Sequence, residues 1–238
     1  MLLGKRVLVV VPARGGSKGI PLKNLALVNG RPLISYTLDV ALQMDWIDMI
    51  SVSTDHKKIM DEVDHYPAVH CVERPKDLSG DRIGDMPVLN HALGVCERIS
   101  QNKFDVVLML QPTSPIRTTD QIETCTIKLI EGLWESVWTV SETDLKYHPL
   151  KQLVINTEDR MNFFVPGGNK VIARQQLEKT YFRNGICYAF TEKAIRSSDS
   201  VWVKDSTSVV VTNEPFVNID SYEDLQLADM ILFNQSKG

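Results

Sequence analysis

An apolar run, Val7-Leu-Val-Val-Val11, leads without interruption into Pro12-Ala-Arg-Gly-Gly-Ser-Lys-Gly-Ile-Pro-Leu-Lys-Asn24. An unbroken aliphatic run does not alternate between core and solvent. It reads as a central strand buried on both faces, the kind found in parallel sheets. The glycine-rich segment is then the first strand-to-helix connection of an α/β sheet, and ligands bind at that carboxyl-terminal edge. Gly15, Gly16 and Gly19 let the backbone approach a ligand and turn its amides toward it. Arg14, Lys18 and Lys23 place three cations within ten residues. Amides and cations together make a cradle for a polyphosphate. The loop is not a Walker loop, because counting from Gly15 the second glycine falls on Ile20. Nor does it contain the dinucleotide fingerprint G-x-G-x-x-G.

The rest of the chain supports a sheet of this type. Strand patterns at about 6–12, 48–54, 69–73, 105–111 and 136–141 alternate with helix patterns at about 32–44, 55–63, 86–100 and 118–132. A last helix pattern covers 221–234. Pro32 suits a first helical turn, and Asp55 suits an N-cap. Ser221 caps the last helix, with Asp224 at the third helical position in the manner of a capping box. The alternation predicts one α/β domain over residues 1–238, a Rossmann-like three-layer sandwich around a mostly parallel sheet. Residues 143–183 break the pattern with His148-Pro149, Pro166-Gly-Gly168, several aromatics and short β-like runs such as Gln152–Ile155. That stretch is too long for a turn. It reads as an excursion from the core that returns at Asn184.

Bulk properties narrow the partners. With 43% hydrophobic residues over 238, the chain has enough apolar side chains for a full core. A net charge of −4 excludes a general nucleic-acid binder, so phosphate recognition must be local. Cys71, Cys96, Cys125 and Cys187 form no C-x-x-C pair and read as buried thiols. The histidines lack metal-ligand spacing. No apolar run approaches membrane-spanning length, and Met1-Leu2-Leu3 passes at once into Gly4-Lys5-Arg6, unlike a secretory signal. The expected setting is cytoplasmic, with no membrane partner.

The glycine-rich block resembles the signature of the CMP-sialic acid synthetases, the acylneuraminate cytidylyltransferases. The likeness continues through Glu73-Arg-Pro75, Leu110-Gln-Pro-Thr-Ser-Pro-Ile-Arg117, Tyr181-Phe-Arg-Asn-Gly185 and Ile219-Asp-Ser-Tyr-Glu-Asp-Leu225, in the family's order. It implies a reaction in which the anomeric hydroxyl of a nine-carbon keto sugar acid, of sialic or legionaminic type, attacks the α-phosphorus of CTP. Such chemistry asks mainly for positioning and charge neutralisation.

The resemblance assigns roles residue by residue. Arg14, Lys23 and Asp220 would be the catalytic group. Arg14, Gly15, Gly16, Ser17, Lys18, Lys23, Asn24 and Arg74 would bind nucleotide. Ser17, Lys18 and Asn24 equally suit ordering of the loop, and Arg74 equally suits a surface salt bridge. Gln111, Lys151, Arg174, Asn184 and Tyr188 would form the sugar site. By themselves Tyr188 reads as core and Lys151 as solvated. Asp220 would bind Mg2+ or Mn2+, since a hard cation needs only one or two carboxylates beside phosphates and water. The excursion at 143–183 would be a dimerisation arm, making a homodimer with composite sites. Two positions depart from the family pattern: Asp85 stands where a hydroxyl near the base is expected, and Asn218 where some members carry an acid. The alternatives are a CMP-KDO-type cytidylyltransferase, a catalytically inactive nucleotide-sugar-binding homologue, and a sugar-1-phosphate pyrophosphorylase using GTP or UTP.

Overall fold

The computed structural model describes residues 1–213 and 215–235. In chain order, β1 is Val7–Pro12, β2 Leu27–Val28, β3 Arg31–Pro32 and α1 Leu33–Leu42. Next come β4 Met49–Thr54, α2 Lys57–Val63, β5 Val69–Glu73, α3 Asp85–Ser100, β6 Val106–Met109, α4 Thr119–Glu131 and β7 Ser136–Glu142. The second half holds β8 Leu153–Ile155, β9 Met161–Phe163, β10 Tyr181–Thr191, α5 Glu192–Ser197, β11 Thr207–Val211 and α6 Tyr222–Gln235.

The main sheet has the order β11-β7-β10-β6-β1-β4-β5. Strand β10 runs antiparallel to both its neighbours, β6 and β7; the other pairings are parallel. β1 is central and its five aliphatic residues are fully buried. They divide by the two-residue period of a strand. Val7, Val9 and Val11 pack on α1, α2 and α4 through Ile34, Leu38, Ile59, Ile122 and Leu129. Leu8 and Val10 pack on α3 through Met86, Leu89 and Leu93. Helices therefore cover both faces, as the sequence predicts. Burying each of these side chains contributes about 1.5–3 kcal/mol.

The predicted strand and helix spans agree with the observed ones to within a few residues. The predicted cap at Asp55 does not. His56 is the N-cap of α2, its Nδ1 accepting from the Lys58 amide, and the Asp55 carboxylate turns to the glycine-rich loop instead. Cys71 is half-buried rather than buried, because β5 is the edge strand. α6 starts as predicted: the Ser221 amide donates to Asp224 Oδ2 at 2.8 Å and the Asp224 amide to Ser221 Oγ at 3.3 Å. α5 and β11 have no counterpart among the predicted elements, and β10 is anticipated only as the return of the chain to the core at Asn184.

Residues 143–180 leave the sheet between β7 and β10. Their hairpin, β8 with β9, is exposed along its whole length. His148 ties the two ends of the excursion together. Its Nδ1 accepts from the Leu150 amide and its Nε2 lies 3.0 Å from the Glu178 carbonyl. Ile155, Met161, Phe164 and Ile172 are all more than half exposed on this projection.

Candidate active site

The carboxyl ends of β1, β4, β5 and β6 open onto one cleft of about 390 Å³. Arg14 lies just past β1, after Ala13, whose amide donates to the Ser53 carbonyl on β4 at 2.9 Å. The loop is then fixed at several points. The Gly15 amide donates to Asp55 Oδ1 at 2.8 Å. Buried Asn24 donates from Nδ2 to the Arg14 carbonyl at 3.0 Å. Lys23 Nζ donates to the Ile219 carbonyl at 2.7 Å and to Asp220 Oδ1 at 2.8 Å. A side chain at Gly19 would meet the Asp220 carbonyl at 2.7 Å, so only glycine permits this approach. Asn24 thus orders the loop, and the Gly15 amide is already committed to Asp55.

Arg14 and Lys23 line the cleft, and Arg14 shares an anion with exposed Lys18. Arg14 Nη1 reaches Asp81 Oδ1 at 2.8 Å, and Lys18 Nζ reaches Asp81 Oδ2 at 2.9 Å. Hydrogen bonds from Lys18 and Arg14 hold the Asp81 carboxyl below the usual carboxylate range. Ser17 lines the same end of the cleft.

The other end is different in character. Leu78, Ile83 and Val88 supply apolar wall beside Arg74 and Asp85. Arg74 is buried, not a surface salt bridge. It donates from Nε to Ser53 Oγ at 3.1 Å and from Nη2 to the Ser53 carbonyl at 2.7 Å. Burial lowers its pKa. Asp85 opens α3, and burial pushes its carboxyl upward while Arg183 and Arg74 pull it back. One cleft therefore combines paired cations with an apolar wall and a single half-buried carboxyl, Asp85.

Gln111 enters the cleft from the turn after β6. Arg117 holds that turn. It is fully buried, donates from Nε to the Ser114 carbonyl at 3.0 Å and from Nη2 to the Gln111 carbonyl, and burial lowers its pKa to about 10. Gly185 completes the wall. Its φ is +75°, and a side chain there would lie 2.6 Å from Ser114 Oγ and 2.8 Å from Gln111 Oε1.

The remaining sugar candidates lie elsewhere. Asn184 is fully buried, and its amide is committed to Thr139, Ser141 and Thr212. Tyr188 packs edge-on against Trp138 at 5.8 Å, and burial pushes its phenol up to about 12. Lys151 and exposed Arg174 belong to the projecting excursion and do not line the cleft.

Asp220 stands at the cation end with its carboxylate largely in solvent. Two residues earlier, Asn218 also lines the cleft, and its Oδ1 is buried without a hydrogen-bond partner. No cluster of three His, Cys, Asp or Glu exists among the described residues. An unpaired amide oxygen and a carboxylate lining the same cleft suit a hard cation whose other ligands are phosphate oxygens and water.

Asp55, Asp81 and Arg117 escaped the sequence reading. For Asp81 a signal existed: Gly80 and Gly84 flank it, leaving a loop tip free to reach the cations. A larger groove of about 660 Å³ opens at the opposite edge of the sheet, lined by Phe104, Leu133 and Trp134. Its lysines Lys5, Lys103 and Lys193 pair with Asp105, Glu97 and Glu135.

Comparison with known proteins agrees with the cleft. A family model described as cytidylyltransferase matches residues 8–206. The pseudaminic acid cytidylyltransferase of Campylobacter jejuni subsp. jejuni serotype O:2 is 30% identical over 94% of this chain and 95% of that protein. The CMP-N,N'-diacetyllegionaminic acid synthase of Legionella pneumophila is 38% identical over 59% of this chain and 60% of that protein. The N-acylneuraminate cytidylyltransferase of Escherichia coli O18:K1:H7 is 26% identical over 94% of this chain, which spans 51% of that longer protein. Among solved structures, a CMP-2-keto-3-deoxy-manno-octonic acid synthetase complexed with CTP superposes with a TM-score of 0.70 at 16% identity, covering 97% of this chain and 99% of that one. That likeness speaks to the fold.

Proposed function

Because the chain belongs to the cytidylyltransferase family, and is thus a nucleotidyltransferase, we propose that it transfers CMP from CTP to the anomeric hydroxyl of a nine-carbon keto sugar acid. The hydroxyl oxygen bonds to the α-phosphorus, the α–β anhydride breaks, pyrophosphate leaves, and the hydroxyl proton is released. The observation that carries this reading is the lining of the cleft. Arg14 and Lys23, with Lys18 paired to the same Asp81 as Arg14, suit a triphosphate, and Arg74, Asp85 and the apolar wall suit a base. Gln111 lines the same cleft. The relatives named for pseudaminic, legionaminic and N-acylneuraminic acids favour a sugar acid of this class over the eight-carbon alternative. The paired cations and Asp220 argue against an inactive homologue.

Asp220 would hold Mg2+ or Mn2+ together with phosphate oxygens, and Asn218 Oδ1 offers a second oxygen. Bound there, the metal would neutralise charge on the phosphates. The projecting arm, with its exposed apolar side chains, would pair two copies and bring Arg174 to the partner's cleft. No helix among the described residues is long and apolar enough to cross a membrane. CTP as donor fits the cytoplasmic setting that the sequence suggests.

The test incubates the protein with magnesium, each nucleoside triphosphate in turn, and a panel of pseudaminic, legionaminic, N-acetylneuraminic and KDO acids. Pyrophosphate and CMP-sugar are then measured. Release should require CTP and a nine-carbon acid. Equal release with UTP or GTP, release without a keto acid, or a preference for KDO would refute the proposal.

A further inference from the structure

The turn after β6 is clamped from inside the protein. Arg117 is buried beneath it and forms no ion pair with any described carboxylate. Its Nε donates to the Ser114 carbonyl at 3.0 Å, and its Nη2 donates to the Gln111 carbonyl. Nη1 is buried without a hydrogen-bond partner. Burying a cation with no counter-charge is unfavourable, and an apolar side chain could fill the same space without that penalty. Packing alone therefore does not account for a guanidinium here. What it adds is a rigid fork whose donors meet two carbonyls of one short turn.

That turn is tied to two other parts of the chain. The Ser114 amide donates back to the Gln111 carbonyl at 3.2 Å, closing residues 111–114. Ser114 Oγ donates to the Asn184 carbonyl at 2.8 Å, in the bulge where the pairing of β10 with β7 shifts between Arg183 and Tyr188. The Thr113 carbonyl accepts from the Ile219 amide at 2.8 Å. Ile219 is fully buried, and its own carbonyl accepts from Lys23 Nζ at 2.7 Å. The same Nζ reaches Asp220 Oδ1 at 2.8 Å. A continuous line of hydrogen bonds and main chain thus runs from Arg117, through the turn, to the pair Lys23–Asp220. Gln111, Thr113, Lys23 and Asp220 all line the cleft, whereas Arg117 does not.

We propose that Arg117 is a positioning residue for nucleotidyl transfer: it fixes the register of Gln111 against the pair Lys23–Asp220. This rests on the reading of the protein as a cytidylyltransferase for keto sugar acids, with Gln111 on the acceptor and Lys23 and Asp220 on the phosphates. Arg117 itself meets no substrate. The attacking hydroxyl must line up with the α-phosphorus and its leaving group, so the two sets of groups must keep one spacing. A slip of the turn by about 1 Å would spoil that spacing, and such a displacement, caused by a residue away from the chemistry, can cost about 10²-fold in rate. Other nucleotide candidates hang on separate anchors. Arg74 is fixed to Ser53, and Asn24 to the Arg14 carbonyl. Loss of Arg117 should therefore weaken the reaction far more than it weakens CTP binding.

The test places Arg117→Met and Arg117→Lys in the wild-type protein and in a Gln111→Ala background. Turnover is measured with CTP, magnesium and the best keto acid, CTP affinity by calorimetry, and folding by thermal melting. Arg117→Met brings no charge into the interior, and the Gln111 carbonyl keeps the Ser114 amide, so this variant should fold. It should lower kcat by about 10²-fold and leave CTP affinity within about threefold of wild type. Arg117→Lys keeps a donor without the fork and should lose roughly tenfold. In the Gln111→Ala background Arg117→Met should cost at least about tenfold less than in wild type, because the group it misplaces is already absent. A folded variant whose kcat stays within about twofold of wild type overturns the inference, whatever its Tm. So does an equal loss in both backgrounds, or a parallel loss of CTP binding, since either would make Arg117 a support of the whole cleft. Failure of both variants to fold makes Arg117 a residue of the fold and overturns the inference as well. If wild type itself forms no CMP product with any keto acid, the proposed function fails first, and this inference with it.

Discussion

Replacing Asn184 by alanine separates a frame residue from a ligand residue. The resemblance places Asn184 in the sugar site, whereas its carboxamide is fully buried. Nδ2 donates to Ser141 Oγ at 3.0 Å and to Thr212 Oγ1 at 2.8 Å. Oδ1 accepts from Thr139 Oγ1 at 2.7 Å and from the Ile186 amide at 3.2 Å. Alanine removes all of these bonds, but the losses are unequal. Ser141 and Thr212 retain each other at 3.3 Å, and Thr139 retains the Cys187 carbonyl at 3.0 Å. The Ile186 amide loses its acceptor inside the bulge. A buried orphaned donor costs about 1–3 kcal/mol, and each net bond lost about 1 kcal/mol more. With the three other bonds the total is about 4–6 kcal/mol. For a chain of this size that lowers Tm by about 15 °C. Circular dichroism melting and urea denaturation would read it directly. A Tm within about 2 °C of wild type, combined with a raised KM for the sugar acid, would refute this reasoning. Asn184 would then meet substrate as the resemblance implies.

Arg14→Ala and Asp220→Ala should each lower turnover by roughly 10²-fold or more, while melting curves stay close to wild type, because both side chains stand at the open cleft. Near-normal turnover in either folded variant removes its role. Asp81→Asn should tighten CTP binding several-fold, since it frees Arg14 and Lys18 from exposed pairs of modest strength. Weaker CTP binding by calorimetry would mean instead that Asp81 orients the cations. If the arm pairs two copies as proposed, Arg14→Ala and Arg174→Ala homodimers should both be nearly inactive. A mixed dimer carrying one change per chain should recover toward half of wild-type activity if the arm acts in trans. Mixed dimers as inactive as either parent mean that Arg174 acts in cis or not at all.

The sheet and its helices were legible in the sequence because periodicity and burial agree there. Val7–Val11 has no polar alternation, and α3 and α4 repeat apolar residues at helical spacing. The cation end of the cleft was legible for the same local reason: Arg14, Lys18 and Lys23 lie on one short loop. What was hidden depends on contacts across long separations. Asp55 could be read as a cap or as a loop anchor, and only the arrival of Gly15 from 40 residues away decides between them. Asn184 and Arg183 are neighbours in sequence, but a strand sends them to opposite faces. Thr139 and Ser141 lie under Asn184, and Trp138 lies under Arg183. β11 carries an apparent signal in Val209-Val-Val211, yet nothing local says that it adds to the sheet beside β7.

The cations that would receive a triphosphate do not wait as bare charge. Asp81 sits on Arg14 and Lys18, and Asp220 sits on Lys23. The cleft is then an ion exchanger loaded with its own carboxylates, and nucleotide entry trades one anion for another. Fewer mobile counterions then leave when CTP arrives. Its affinity should therefore fall less steeply with added salt than the number of cations in the loop would suggest. The same trade gives the leaving pyrophosphate a competitor that is always present at full local concentration, tethered on the loop between Gly80 and Gly84.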